Sequence, residues 1–314
     1  MTLLGQPVNL TYQIYLFNPF TKLEEQMAQI INGKEISLQI QDELIKEISA
    51  LKAKGIKPCL ATILVGEDPG SQVYVANKIK TCEKLGIISE HFHPKANVTE
   101  KELLKLITEL NNNPKIHGIL CQLPPPKHIN SDKILLAISP DKDVDGFHLI
   151  NMGKLLSKKS MAEIEREGMY LPCTPHGIIQ LLRRSNIEIK GQEAVIVGRS
   201  NIVGKPVALL LMANNATVTI CHSETRDIGA ITRRADILIA AIGKPRFITA
   251  DMVKDGVVVI DVGVNRLPEG LCGDVDFEPV KAKAKAITPV PGGVGPMTIA
   301  MLMVNTVKAA KRKF

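Results

Sequence analysis

Tyr74 and Lys78 stand four residues apart in the run Gly66-Glu67-Asp68-Pro69-Gly70-Ser71-Gln72-Val73-Tyr74-Val75-Ala76-Asn77-Lys78. The pattern predicts a helix over 71–85, with Gly86 after it. Residues four apart on a helix lie one above the other. On a wheel of about 100° per residue, Val75, Ile79, Cys82 and Gly86 share an apolar stripe, and Lys80 and Lys84 point to the opposite, wet side. The Tyr74–Lys78 row borders that stripe, so both heads can reach a partly dry cleft. Desolvation there lowers the pKa of an amine towards a value useful in proton transfer. The plainer reading is a lysine that snorkels along an apolar edge, and the helix by itself favours that reading. A Tyr-x-x-x-Lys pair also occurs in short-chain dehydrogenases. There it follows the nucleotide turn; here it precedes the candidate turn by more than a hundred residues.

That candidate turn is Gly198-Arg199-Ser200-Asn201-Ile202-Val203-Gly204-Lys205-Pro206, directly after the apolar run 194–197. A glycine turn between strand and helix lets backbone approach a pyrophosphate, and the helix N-terminus adds N–H donors and a positive dipole end. The glycines fall at 198 and 204 rather than as G-x-G-x-x-G, so the motif alone also fits a plain tight turn. About 20 residues on, dinucleotide folds usually offer an acid to the ribose 2′-hydroxyl. Here the second strand ends in Cys221-His222-Ser223, with no acid before Glu224. Ser223 can hydrogen-bond a 2′-phosphate and Arg199 can neutralise it, which points to NADP over NAD.

The elements that must carry these residues alternate. Ile36, Ile40, Leu44, Ile48 and Leu51 recur at helical spacing over 34–54, and Gly55 stops that helix. The run 59–65 reads as a buried parallel strand, a short strand follows near 87–92, and 117–122 is another candidate. Thr99 and Glu102 form a capping box for a helix over 100–111. From about Pro175 a second set follows, with strands at 194–197, 217–220, 236–241 and 257–262. The last helix, 296–312, places Pro296 in its first turn. Such alternation implies an α/β fold with right-handed crossovers and parallel sheets covered on both faces. Residues 157–169 read as a polar excursion between the units.

Bulk properties narrow the class. The chain has 314 residues, 45% hydrophobic and 23% charged, the balance of a soluble globular protein of one or two domains. No apolar run approaches the roughly 20 residues of a membrane span. The six cysteines are scattered without a C-x-x-C pair or a neighbouring histidine at ligand spacing, so no metal site and no disulfide framework is expected. Free thiols fit a reducing, cytoplasmic setting. The net charge of +7 is spread, with no run of five or six basic residues, and aromatics are only 4%. A solvated lysine-rich surface accounts for it, attraction of anionic small molecules is the sharper reading, and nucleic acid is not expected as a partner. Residues 1–26 fit neither a secretory signal nor the pattern that begins at Met27, and read as an extension or an early start.

Nine segments in order resemble the methylenetetrahydrofolate dehydrogenase/cyclohydrolase family: 65–78, CQLPPP (121–126), SPDKDVDGFH (139–148), PCTPHG (172–177), VGRSNIVGKP (197–206), ATVTICHS (216–223), IDVGVN (260–265), GDVDF (273–277) and TPVPGGVGPMT (288–298). The resemblance implies oxidation of 5,10-methylenetetrahydrofolate to the 5,10-methenyl form with NADP, then hydrolysis to 10-formyltetrahydrofolate. It implies a folate and catalytic domain at 27–148, completed by a C-terminal helix at 297–314, a Rossmann-like NADP-binding domain at 149–296, a cleft between them, and a homodimer. By the same resemblance Lys78 is the key residue of hydrolysis, Gln122 tunes it, Tyr74 packs by the folate ring and Asp145 binds the pterin edge. Leu123, Pro124, Pro291, Gly292 and Gly293 line the folate side. Gly198, Arg199, Ser200, Val203, Gly204, Ser223, Ile242, Gly243, Val264 and Thr298 face the cofactor. The residues alone do not choose Asp145 over Asp141 or Asp143, and a Gly-Gly turn needs no ligand. Cys173, after Pro172 in a loop, reads as structural. CQLPPP departs from the common V-Q-L-P-L-P but keeps Gln122. The competing readings are a monofunctional member, a shikimate-dehydrogenase-like enzyme, and a non-catalytic protein on the same fold.

Overall fold

The computed structural model describes residues 28–312; the expected extension at 1–26 lies outside them. The first half runs β1 (Gln29–Ile30), α1 (Gly33–Ala53), β2 (Cys59–Ile63), α2 (Pro69–Leu85), β3 (Ile88–Phe92), α3 (Glu100–Asn112), β4 (Gly118–Cys121), α4 (Ser131–Ala137), α5 (Leu149–Leu156), α6 (Met161–Arg166) and α7 (Cys173–Arg184). The second runs β5 (Glu193–Val197), α8 (Gly204–Ala213), β6 (Thr217–Cys221), α9 (Ile228–Thr232), β7 (Ile237–Ala240), β8 (Val258–Asp261), β9 (Asn265–Leu267), β10 (Gly270–Cys272), α10 (Phe277–Lys281), β11 (Ala286–Ile287) and α11 (Val294–Arg312).

Two parallel sheets result. One is three-stranded, in the order β3-β2-β4; the other is six-stranded, β1-β11-β8-β7-β5-β6. Every residue of β2, β4, β7 and β8 is buried, as strands covered on both faces must be. In the larger sheet the chain leaves β5 for β6 on one side and returns to β7 on the other. That reversal opens a crevice beyond the C-terminal ends of β5 and β7, where α/β folds bind ligands. The described chain begins in the six-stranded sheet, because β1 pairs with β11, so the first segment belongs to both halves.

α11 joins the two sheets. It packs against α1 and α7 and touches α2, β2 and β4. Met297, Ala300, Met301, Leu302 and Met303 are buried in one cluster with α1, α7, α8 and strands of both sheets. Asn305, buried on the same helix, donates through Nδ2 to the carbonyls of Val144 (2.8 Å) and Leu171 (2.9 Å). Nothing in the sequence pattern singled it out.

Most expected elements form where spacing placed them, and the capping box at Thr99–Glu102 closes both ways. Two readings change. Pro296 is the third residue of α11, which starts at Val294. The 157–169 excursion folds: it holds α6, and Met161, Ile164 and Met169 are buried in the main cluster. Its polar residues face out, with Lys158 on Glu167 and Glu165 on Arg183.

Replacing Asn305 with alanine leaves the Leu171 carbonyl without its donor and the Val144 carbonyl with the Cys173 thiol. Asn305→Ala should lower stability by about 1–3 kcal/mol, measured by urea unfolding; no change in midpoint would show the bonds are dispensable.

Candidate active site

Local sequence sets α2. Asp68 caps it, its carboxylate accepting Ser71 N at 2.7 Å; Pro69 starts it, and Gly86 ends it in a left-handed conformation at φ 72°. The buried stripe is Ser71, Val75, Lys78, Cys82 and Leu85. This is a rotation from the expected stripe: Ile79 is only partly buried, and Lys78 lies on the inner face rather than on its border. The polar partners inside explain the difference. Lys78, 6% exposed, donates from Nζ to Gln122 Oε1 at 2.9 Å. Gln122 follows β4 and cannot turn freely, since its Nε2 donates to Leu123 O (2.9 Å) and its N to Ile63 O (2.8 Å). Burial holds the Lys78 amine below the ordinary lysine range, and the negative charge of Asp145 opposes that shift.

The three neighbouring aspartates divide the work. Asp143 accepts the N–H groups of Gly146 (3.1 Å), Phe147 (3.2 Å) and His148 (2.8 Å), and Asn151 Nδ2 (2.8 Å). It is consumed in building the turn. Asp141 is exposed, and its carbonyl takes the Tyr170 hydroxyl. Asp145 has no such backbone duty and faces Lys78 and Cys173. Its carboxyl is pushed up to about 6, chiefly by burial, with the Lys78 charge acting the other way. Cys173 opens α7 rather than lying in a loop. Its Sγ donates to Val144 O at 3.3 Å, and burial, with Asp145 beside it, pushes the thiol well above its ordinary value. A thiol held protonated is no nucleophile.

Tyr74, one turn before Lys78, opens instead into a cavity of about 550 Å³ between α1, α2 and the loops after β8 and β11. Pro291, Gly292, Gly293 and Val264 line it, together with Lys34, Lys80 and Lys84. Lys80 and Lys84 therefore edge this cavity and do not face away from it; Lys84 donates to Gln41 at 3.0 Å. The glycine loop is seated on α1: Lys34 N donates to Gly292 O at 3.0 Å, and a Cβ on Gly33 would stand 1.8 Å from Gly293 O. Leu123 and Pro124 follow Gln122 and are joined to each other by a cis peptide bond. Thr298, in the first turns of α11, shares a 2.8 Å hydrogen bond with Thr174 of α7.

On the other sheet, the turn after β5 is built by close approach. A Cβ on Gly198 (φ 130°) would stand 2.1 Å from Ala241 O, and one on Gly204 2.2 Å from Gly198 O. The first N–H groups of α8 are already used: Ser200 Oγ accepts Val203 N (3.1 Å) and Gly204 N (3.3 Å), and Ser200 O accepts Lys205 N (3.0 Å). The donors left over, among the described residues, are the backbone N–H groups of Arg199, Ser200, Asn201 and Ile202 in the exposed turn. With the Arg199 side chain they suit an anion, so the donor set fits a dinucleotide phosphate through the turn rather than through the helix end. Ser223 donates to Glu224 at 3.0 Å, so the acid just past β6 engages the hydroxyl expected to meet a 2′-phosphate. Ile242 and Gly243 lie in the loop after β7, on the same side of the sheet as the turn. Among the described residues no cluster of three or more His, Cys, Asp or Glu could hold a metal, and no helix is long and apolar enough to cross a membrane.

A crevice at the strand reversal of a Rossmann-like sheet and a buried, hydrogen-bonded lysine on a second α/β unit define a two-domain dinucleotide-dependent enzyme. Residues 31–145 match the catalytic domain of tetrahydrofolate dehydrogenase/cyclohydrolase, and residues 172–314 match its NAD(P)-binding domain. The chain belongs to the tetrahydrofolate dehydrogenase/cyclohydrolase family. It is 59% identical over 287 residues to the bifunctional protein FolD of Agathobacter rectalis, covering 91% of this chain and 100% of that protein. Its structure resembles the bifunctional FolD of Campylobacter jejuni (TM-score 0.86, 50% identity, 91% and 100% of the two chains). It also resembles the Trypanosoma brucei dehydrogenase–cyclohydrolase complexed with NADP cofactor and inhibitor (TM-score 0.85, 38% identity, 91% and 98%).

Asp143 and Asp145 should separate on mutation. Asp143→Asn loses acceptors for charge-assisted bonds and should cost about 2 kcal/mol in thermal or urea unfolding. Asp145 behaves oppositely. Its folded-state pKa of about 6 lies above the ordinary 3.8, so its protonation favours folding at low pH, and that contribution is lost as pH rises through about 6. Asp145→Asn should therefore match or exceed the wild-type melting temperature at pH 8. A clear drop there would contradict the assignment.

Proposed function

We propose that the chain oxidises 5,10-methylenetetrahydrofolate to the 5,10-methenyl cation with NADP+, then hydrolyses it to 10-formyltetrahydrofolate. The observation that carries this reading is the buried Lys78 amine on Gln122 Oε1 at 2.9 Å, with Asp145 beside it. The FolD relatives support it by their names, and the Trypanosoma brucei structure, complexed with NADP, supports the cofactor.

In the proposed site Asp145 accepts the N–H donors of the pterin's amino-pyrimidine edge, a pairing suited to a carboxylate. Tyr74 packs against the folate ring, and Leu123, Pro124, Pro291, Gly292 and Gly293 wall it in. NADP+ supplies the hydride acceptor when bound. The chain's part is to hold it: Arg199, Ser200 and the turn between Gly198 and Gly204 at the phosphates, Ser223 at the ribose, and Val203, Ile242, Gly243, Val264 and Thr298 around the rest. Holding both reactants in one cleft removes most of the entropic barrier to transfer.

Hydrolysis is then proton transfer at a defined atom. Water attacks the cationic methenyl carbon as Lys78 Nζ, neutral in part because it is buried, accepts its proton. The C–N5 bond breaks, N5 takes a proton, and the formyl group stays on N10. Gln122 holds the amine in line through its fixed Oε1. We further propose a division into a folate half from residue 28 to 148, completed by α11, and a nucleotide half from 149 to the start of α11. A homodimer is proposed too, since β6 leaves its outer edge unpaired by any described strand and exposes Ile220. Six free cysteines accord with a cytoplasmic setting.

Both reactions should be followed separately on wild type and Lys78→Met. Wild type should reduce NADP+ and hydrolyse the methenyl compound, and the variant should lose hydrolysis by about 100-fold or more, the scale of a general base. Wild-type hydrolysis should rise with pH as the lysine deprotonates. Hydrolysis surviving in Lys78→Met would remove Lys78 from the mechanism, and wild type reducing NADP+ without hydrolysis would mark a monofunctional enzyme. Light scattering after gel filtration should give twice the chain mass of 34.3 kDa; a monomer would refute the dimer.

A further inference from the structure

Of two motifs, IDVGVN at 260–265 and GDVDF at 273–277, only Val264 has a part in the chemistry above. The fold brings their aspartates together. Asp274, 0% exposed, accepts the N–H groups of Ile242 (2.7 Å) and Gly243 (2.9 Å) on Oδ2, and Asn265 Nδ2 (2.9 Å) on Oδ1. Asp261, 3% exposed, accepts Gly263 N (3.0 Å) and Asp274 N (2.9 Å) on Oδ1, and Val275 N (3.0 Å) on Oδ2. Its own N–H goes to Thr288 Oγ1 at 2.8 Å, just before the loop that carries Pro291 and Gly292. Both carboxylates need glycine beside them. A Cβ on Gly263 would stand 2.2 Å from Asp274 Oδ1, and one on Gly273 1.8 Å from Asp261 Oδ2.

This clamp fixes the orientation of the loop after β7. In a trans peptide the N–H and the preceding C=O point opposite ways. With the Ile242 N–H drawn back onto Asp274, the Ala241 carbonyl must point forward. It does, standing 2.1 Å from where a Gly198 Cβ would be, in the turn after β5. By the same geometry the Gly243 N–H, held on Asp274, turns the Ile242 carbonyl away from the clamp towards the crevice between β5 and β7.

We propose that Asp274 is a positioning residue for the dinucleotide: it presents the Ile242 carbonyl as a fixed acceptor for a donor on the cofactor, a ribose hydroxyl or a carboxamide N–H. This rests on reading the crevice as the NADP site. Asp274 does not line the cavity beside Tyr74 and bonds the loop after β7 rather than Lys78, so its effect falls on one of the two activities. Burial of two carboxylates also costs stability that an apolar loop would not, which a backbone-orienting role explains.

The test is Asp274→Asn, which keeps the side chain's size but removes its charge and one acceptor. NADP+ reduction and methenyl hydrolysis are measured on the same preparation, with KM for NADP+ and for folate taken separately. The KM for NADP+ should rise about 10- to 100-fold, the range for losing bonds to a charged group, while hydrolysis and the folate KM stay within about twofold. Equal loss of both activities would reduce Asp274 to a folding role, and an unchanged NADP+ KM would overturn the proposal. If Asp274→Asn does not fold, Asn265→Ala decides. It removes only the third donor and should raise the NADP+ KM about threefold with hydrolysis intact; no rise would again overturn it. Wild type lacking either reaction would instead fail the functional reading on which the test stands.

Discussion

A primary amine that loses its water must find a partner or give up its proton, and Lys78 is the point at which this fold meets that constraint. The rest of the catalytic half follows from it. α2 is turned so that Lys78, not Ile79, faces inward. Gln122 has its amide oriented by the Leu123 carbonyl, so only its oxygen is left for the lysine. Asp145 stays unbonded to backbone because Asp143 has already closed the turn between them. The negative charge of Asp145 raises the amine's pKa while burial lowers it, so a neutral and a protonated lysine lie within reach of each other. A proton acceptor needs that balance.

Holding this arrangement against a second, mobile reactant requires that two sheets keep a fixed relation. α11 supplies much of that. Its methionine-rich face fills the cluster common to both sheets, Asn305 ties it to the strand of chain carrying Asp145, and Thr298 meets Thr174 at the start of α7. The loop just before α11 is seated on α1 through Gly33 and Lys34. The cavity edged by Tyr74 and the Gly292–Gly293 loop thus has walls from both ends of the chain.

The carboxylates divide into those that hold backbone N–H groups and one that meets side chains. Asp143, Asp261 and Asp274 are surrounded by N–H donors and fix loops. Asp145 meets the side chains of Lys78 and Cys173 instead. A carboxylate ringed by backbone donors is satisfied and available for nothing else, whereas one beside the Lys78 amine keeps its oxygens clear of the backbone. The anionic end of the site follows the same economy: Ser200 satisfies the start of α8, and that leaves the turn's own N–H groups open.

Periodicity and caps were sufficient for most of the longer elements. Val75 and Cys82, the Thr99–Glu102 box, and the apolar runs of β2, β5, β7 and β8 depend on neighbours a few residues away, so local sequence determines them. The ordered motifs determined the family, and with it Lys78, Gln122 and Asp145 as a set. Other features depended on contacts between residues distant in the chain, or on which donor a side chain reaches first. The roll of α2 that buries Lys78 was set by Gln122, 44 residues on. The choice among Asp141, Asp143 and Asp145 was set by which carboxylate the Gly146–His148 amides take. Met161, Ile164 and Met169 were buried by a cluster that no local pattern announces, because a short polar helix with one apolar edge reads like a loop until something covers it. Asn305 carries no sequence signal, and Asp274 stands in a family motif that assigns it no role. Each is a polar residue whose meaning is its buried partners, and only the folded chain supplies them.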